Sequence, residues 1–181
     1  MRLSRGMTYK AAVARLNLGG AKAVIIGDPR TQKSEALMRK FGRFVENLNG
    51  KYITAEDVGT TTRDMEYVQM ETEHVVGLPE SMGGGGDPSP VTAYGTYMGI
   101  KASAKQAYGS DSLEGKSAAV MGIGKVGWHL LELLHKDGVK LYISDLNQDV
   151  LKKAADSFGA TPVSSEDMIS LDVDIFAPCA M

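Results

Sequence analysis

The chain has 181 residues, 43% of them apolar and 23% charged, with a single cysteine and a formal net charge of −2. This composition excludes wholesale disorder, and the lone Cys179 excludes both an intrachain disulfide framework and a multi-cysteine zinc site. No apolar run approaches the ~18 residues of a membrane span, and Met1-Arg2-Leu3-Ser4-Arg5 lacks the apolar stretch of a secretory signal, so the chain reads as cytoplasmic.

Length alone allows one large domain or two small ones. Charge is distributed unevenly: residues 1–54 hold eleven Lys/Arg against three Asp/Glu, and the remainder holds nine against nineteen. The basic residues follow an amphipathic pattern without interleaved aromatics, which disfavours nucleic acid and favours anionic small molecules or protein partners.

In chain order, Ala23-Val-Ile-Ile-Gly27 reads as a buried strand closed by the turn Gly27-Asp28-Pro29. Leu37, Phe41, Phe44, Val45 and Leu48 then recur at helical spacing between Ser34 and Leu48, as on a helix lying against a sheet, and Asn49-Gly50 ends it. Lys51–Thr54 reads as a second strand, Thr61–Met70 as a second helix and His74–Gly77 as a third strand. Such alternation predicts βαβα units with a mainly parallel sheet. Gly83–Gly86 followed by Asp87-Pro-Ser-Pro90 breaks regular structure, so the domain boundary is placed there, with domains 1–86 and 87–181.

A long helix is expected over about 91–108, with Asp87 or Ser89 as its cap. Strands at 117–121, 139–144, 160–163 and 173–176 alternate with helices at 125–137 and 147–158 and one short helix. This is a doubly wound nucleotide-binding pattern that stops after four strands where the full fold has about six. Together with a first sheet lacking a covering partner upstream, it reads as an internal fragment of a longer protein with both ends missing.

Three constellations carry chemistry. Gly122-Ile123-Gly124-Lys125-Val126-Gly127 fits G-x-G-x-x-G directly after a strand and at the start of a helix. Its first glycine permits the tight turn, its second lets backbone approach a pyrophosphate, and its third lets helix pack on strand. Asp145 ends the next strand, where a carboxylate accepts hydrogen bonds from an adenosine ribose and repels a 2′-phosphate, so NAD is favoured over NADP.

Lys10 and Lys22 flank the loop Asn17-Leu-Gly-Gly-Ala-Lys22; a desolvated Lys22 would act as general base and a charged Lys10 would hold a carboxylate, the alternative being two surface lysines. Asp57, beyond the strand ending at Thr54, would pair with a lysine and pass protons, or else cap the following helix. His74, His129 and His135 lack metal-ligand spacing, so no metal is assigned, and Cys179 reads as a packed small side chain.

Taken together, Met7-Thr-Tyr-Lys10, Leu16-Asn-Leu-Gly-Gly-Ala-Lys22, Gly50-Lys-Tyr-Ile-Thr-Ala-Glu-Asp-Val-Gly-Thr60, Asp87-Pro-Ser-Pro-Val-Thr-Ala-Tyr-Gly95, Gly109–Lys116 and Asp174–Ala180 closely resemble the glutamate, leucine, phenylalanine and valine dehydrogenase superfamily along essentially the whole chain. The fold this implies is α/β: a partial amino-acid dehydrogenase substrate domain followed by a truncated Rossmann-type domain.

The resemblance also implies NAD-dependent oxidative deamination of L-leucine and other branched-chain L-amino acids to the 2-oxo acid, with valine, phenylalanine or glutamate as alternatives. By the same likeness Lys10 binds the substrate carboxylate, Lys22 activates water, Asp57 exchanges protons with the amino group, and Ala55 lines the side-chain pocket. Thr92 lies near the nicotinamide amide; Gly122, Gly124, Lys125, Val126, Gly127 and Asp145 form the NAD site. Homo-oligomers follow for the full-length protein, whereas the fragment alone is expected to be inactive. A third alternative is a non-catalytic NAD-binding module. The family usually has a glycine at the position of Ala21 and a small residue at that of Arg15, so Ala21 is expected to crowd the backbone that places Lys22.

Overall fold

The computed structural model describes residues 1–180, which divide into one unit from Met1 to Pro88 and a second from Ser89 onward. Met181, the last residue of the loop expected after the final strand, lies outside the described residues.

The first unit opens with a helix that the sequence pattern did not announce, α1 (Arg2–Val13), none of whose residues is buried. It ends in a Schellman arrangement: Leu16 N–H donates to the Ala11 carbonyl at 2.9 Å and Arg15 N–H to the Ala12 carbonyl at 3.0 Å, with Arg15 left-handed at φ 58°. Helix α2 (Glu35–Glu46) is capped by Ser34, whose hydroxyl accepts from Leu37 N–H at 3.2 Å. Helix α3 (Thr62–Gln69) carries a full capping box, in which the Thr61 hydroxyl accepts from Asp64 N–H and the Asp64 carboxylate accepts from Thr61 N–H.

Helices α2 and α3 pack on each other. Met38, Met65, Val68, Val75 and Leu78 form the buried cluster, flanked by Phe41 and Tyr67. Gly42 makes the approach possible, since a Cβ there would stand 2.8 Å from the Val68 carbonyl oxygen. The buried stripe of α2 is therefore Met38, Gly42 and Val45, whereas Phe44 is 60% exposed and Leu48 lies outside the helix and is exposed. Periodicity marked the right helix and displaced its face, because Gly42 was not counted as a contact residue and the surface it meets is a helix.

The first sheet is also corrected. Ala23–Gly27 forms no strand: Val24 is 68% and Ile26 99% exposed, and among the described residues no backbone hydrogen bond joins them to a neighbour. A β-branched run states what a segment would bury, but a parallel strand also needs an adjacent backbone to satisfy its N–H and C=O groups. The strands expected at 51–54 and 74–77 reduce to one parallel bridge between Thr54 and Val75, closed by Thr54 N–H to the His74 carbonyl at 3.0 Å and Val76 N–H to the Thr54 carbonyl at 2.9 Å.

The second unit follows the sequence pattern closely. Helix α4 (Ser89–Tyr108) precedes β1 (Ser117–Met121), α5 (Lys125–Lys136), β2 (Lys140–Ser144), α6 (Gln148–Phe158), β3 (Thr161–Pro162), α7 (Ser165–Met168) and β4 (Ile175–Pro178), the last strand starting two residues later than expected. All pairings are parallel in the order β3-β2-β1-β4, with Ala118 opposite Leu141 and Ala118 opposite Ile175. The order reverses between β1 and β4, and in such sheets the crevice beyond the strand ends at the reversal is where ligands bind.

Its core joins Ala118, Val120, Leu141 and Ile143 of the sheet to Leu130, Leu131 and Leu134 of α5, and α4 adds Ala93 and Ala104. Truncating one of these leucines costs about 2–5 kcal/mol by transfer and cavity terms. Among the described residues no helix is long and apolar enough to cross a membrane.

Candidate active site

Chemically competent groups gather in two places, one in each unit. In the first, Lys22 and Asp57 form an ion pair through Nζ and Oδ2, with side chains 28% and 50% exposed. Lys22 ends a loop anchored to α1, because Gly20 N–H donates to the Thr8 hydroxyl at 3.0 Å. A Cβ on Gly20 would overlap the Ser4 carbonyl oxygen and the Thr8 amide nitrogen, so only glycine lets the loop lie on the helix. Ala21 is exposed, and Lys22 reaches Asp57 with that extra methyl in place.

Asp57 sits in a tight turn. Its N–H donates to the Thr60 hydroxyl at 2.8 Å, Thr60 N–H returns to the Asp57 carbonyl at 2.9 Å, and Asp57 Oδ1 accepts from Val58 N–H at 2.8 Å. The alternative of Asp57 as helix cap is not what is observed: Thr61 caps α3. One carboxylate oxygen is thus engaged in the turn while the other meets Lys22, an arrangement able to pass a proton between the two groups. Lys10 lies on the exposed last turn of α1 and makes no ion pair among the described residues, and Ala55 is exposed.

The second centre is the turn after β1. Gly122 adopts φ 92°, its N–H donates to the Ser144 carbonyl at 2.7 Å, and a Cβ would stand 2.6 Å from Ala180 N. Gly124 is the N-cap of α5, with nothing within 4 Å of where its Cβ would be. Gly127 faces the Gly122 carbonyl so closely that a Cβ would overlap its oxygen. Tight turn, open approach and helix-on-strand contact are therefore separated among the three glycines, and the N–H groups of the first turn of α5 point at the open side.

Asp145, just past β2, accepts from Ile123 N–H through Oδ2 at 2.6 Å and from Asn147 N–H through Oδ1 at 2.8 Å, which ties the end of β2 to the glycine turn. Lys125 is exposed, Val126 packs against the core, and Thr92 lies exposed in the first turns of α4, its carbonyl accepting from the Thr96 hydroxyl at 3.0 Å. The open backbone at Gly124 and the Asp145 carboxylate beside the glycine turn are groups whose chemistry fits a dinucleotide. Burial pushes the Cys179 thiol up from its ordinary range, which suits a packed side chain rather than a nucleophile.

Thr8, which holds the Gly20 N–H, and Lys33 and Asp64, which meet at 2.6 Å beside the Asp57 turn, border the first centre and were not singled out by sequence reading. Thr61-x-x-Asp64 is a recognisable capping box; the others act between segments distant in the chain, and no local pattern marks them.

Residues 1–74 match the family model of the Glu/Leu/Phe/Val dehydrogenase dimerisation domain. The whole chain is 56% identical over 181 residues to a leucine dehydrogenase of Geobacillus stearothermophilus, of which it covers 49%, so it spans about half the length of the curated relatives it matches. The crystal structure of L-tryptophan dehydrogenase from Nostoc punctiforme aligns with a TM-score of 0.70 and 44% identity, covering 99% of this chain and 49% of that one. Hetero-hexameric glutamate dehydrogenase from Thermus thermophilus, in a leucine-bound form, aligns with a TM-score of 0.77 and 25% identity over 98% of this chain and 49% of that one. The chain is thus similar along its whole length to about half of each of these amino-acid dehydrogenases, and its first 74 residues match the Glu/Leu/Phe/Val dehydrogenase family model.

Proposed function

We propose that this chain carries the acid–base pair and the dinucleotide turn of an NAD-dependent amino-acid dehydrogenase that oxidatively deaminates L-leucine and other branched-chain L-amino acids. The observation that carries the reading is the contact of Lys22 with Asp57, two residues that the sequence had nominated separately for proton chemistry.

In this reading the Lys10 ammonium holds the substrate carboxylate and orients the Cα–H bond. Gly122, Gly124, Gly127 and the α5 N-terminus hold the dinucleotide pyrophosphate, Asp145 the adenosine ribose, and Thr92 lies near the nicotinamide amide. Bound NAD supplies the oxidant, taking up hydride from Cα. Lys22, having passed its proton to Asp57 across their contact, takes a proton from the water that adds to the resulting substrate iminium carbon. Asp57 delivers its proton to the amino nitrogen, which leaves as ammonia, and the carbinolamine hydroxyl proton passes to the Asp57 carboxylate as the carbonyl of the 2-oxo acid forms. The residues Ala55 and its neighbours would face the substrate side chain.

Preference for leucine rests on the 56% identity to a leucine dehydrogenase. A pocket distinguishes neighbouring aliphatic side chains by only about 1–3 kcal/mol per methylene, so valine, phenylalanine and glutamate are the competing substrates to assay. We also read the protein as a cytoplasmic homo-oligomer with no nucleic-acid or membrane partner, in keeping with the dimerisation-domain match and with exposed Val13, Val24 and Ile26 on the first unit.

The test is reductive amination by the complete gene product, following NADH loss with ammonia and 4-methyl-2-oxopentanoate. Consumption of NADH that is faster than with 2-oxo-3-phenylpropanoate is expected. No consumption while NADH still binds would overturn the enzymatic reading in favour of a non-catalytic dinucleotide-binding module.

A further inference from the structure

The turn that carries Asp57 is closed by its own hydrogen bonds, but those bonds leave its orientation free. Gly59 lies at the tip with φ 78°, and two groups from the segment after Lys22 reach it. The Pro29 ring lies against it, so that a Cβ on Gly59 would stand 3.2 Å from Pro29 Cγ. Lys33 Nζ donates to the Gly59 carbonyl oxygen at 3.1 Å and to Asp64 Oδ2 at 2.6 Å.

Asp64 is a fixed anchor. Its side chain is 7% exposed, and the same oxygen also accepts from Thr61 N–H at 2.7 Å and from the Thr61 hydroxyl at 2.9 Å in the capping box of α3. The Lys33 ammonium therefore ties the tip of the Asp57 turn to a buried carboxylate at the head of a packed helix. Asp57 itself is half exposed, so the aim of its second oxygen at Lys22 follows the orientation of the turn.

We propose that Lys33 is a positioning residue for Asp57: by bridging the Gly59 carbonyl and Asp64 it holds the turn in the orientation that brings Asp57 against Lys22. Lys33 touches no reacting atom in this arrangement. Its effect on turnover rests on the proton-transfer role given above to the Lys22–Asp57 pair.

The experiment uses the complete gene product with Lys33→Met, which keeps the stem and removes the donor, and Lys33→Arg, which keeps charge and donors. For Lys33→Met, kcat for leucine oxidation falls about 10-fold or more with KM for leucine and NADH binding little changed, and amide hydrogen exchange at Val58 and Thr60 accelerates while that of α5 does not. Lys33→Arg recovers most of the lost turnover and protection. Should Lys33→Met fail to fold because Asp64 is left as an uncompensated buried charge, the double variant Lys33→Met/Asp64→Asn removes that charge and is measured in its place. A folded variant lacking the ammonium, with wild-type kcat and wild-type exchange at Val58 and Thr60, overturns the proposal. Absence of leucine-dependent NADH formation in the wild type overturns the functional reading instead, and the exchange rates then decide the role of Lys33 by themselves.

Discussion

The Lys22 ammonium rests on the Asp57 carboxylate although both residues lie in segments without regular secondary structure. The pair is held by its surroundings: Gly20 fastens the Lys22 loop to α1 through Thr8, and the Asp57 turn closes on Thr60.

Replacing Lys22 by alanine should leave dinucleotide binding intact, because the glycine turn belongs to the other unit, and should reduce turnover about 10²–10⁴-fold, the usual contribution of a positioned acid–base group. NADH fluorescence titration and steady-state assay of the complete gene product measure the two effects. Unchanged turnover removes Lys22 from the base role.

Asp145 holds the Ile123 amide at 2.6 Å as well as presenting a carboxylate beside the glycine turn. Asp145→Ala should weaken NADH binding by about 1–3 kcal/mol through the orphaned amide and the lost acceptor, while NADPH binding falls less because a repelling charge is gone. Parallel titrations with NADH and NADPH measure the ratio; a ratio equal to that of the wild type would mean that Asp145 serves only to order the turn.

Arg15 occupies the left-handed position of the Schellman turn that ends α1, where glycine has no Cβ to strain. Arg15→Gly should stabilise the first unit by about 1 kcal/mol, the relief of the left-handed strain less the extra freedom of glycine in the unfolded chain. A rise in the urea midpoint at constant slope is the expected result.

Glu71 accepts from Arg43 at 2.8 Å and from Arg39 at 2.7 Å, linking α2 to the residues just after α3, and these guanidinium hydrogen bonds lower its carboxyl from 4.5 to about 2. A depressed folded pKa contributes stability that is present above the ordinary value and lost as pH falls toward the folded one. Stability of the first unit should therefore decline between pH 4.5 and about 2. Glu71→Gln should flatten the decline in that window, as read from urea midpoints at a series of pH values.

Much of the second unit was legible because its signals are local. A strand, three spaced glycines, a helix and an acid at the end of the next strand each declare themselves within a few residues, and β1, α5, β2, α6 and β3 appeared within one or two residues of expectation. The capped helices α2 and α3 were legible for the same reason. Helix α1 was not, since it buries none of its residues and so shows no apolar stripe to read.

By itself, the sequence determined the alternation of elements, the glycine turn with Asp145, and the choice of Lys10, Lys22 and Asp57 as residues of interest. Tertiary structure alone decided that Val24–Ile26 stays unpaired, that α2 turns Met38, Gly42 and Val45 inward, that Lys22 is the lysine meeting Asp57, and that Lys33 ties that turn to Asp64. The reason is physical: helix propensity, capping and turn geometry are set by neighbours along the chain, whereas strand pairing, burial and ion pairing depend on groups that only folding brings within a few ångströms.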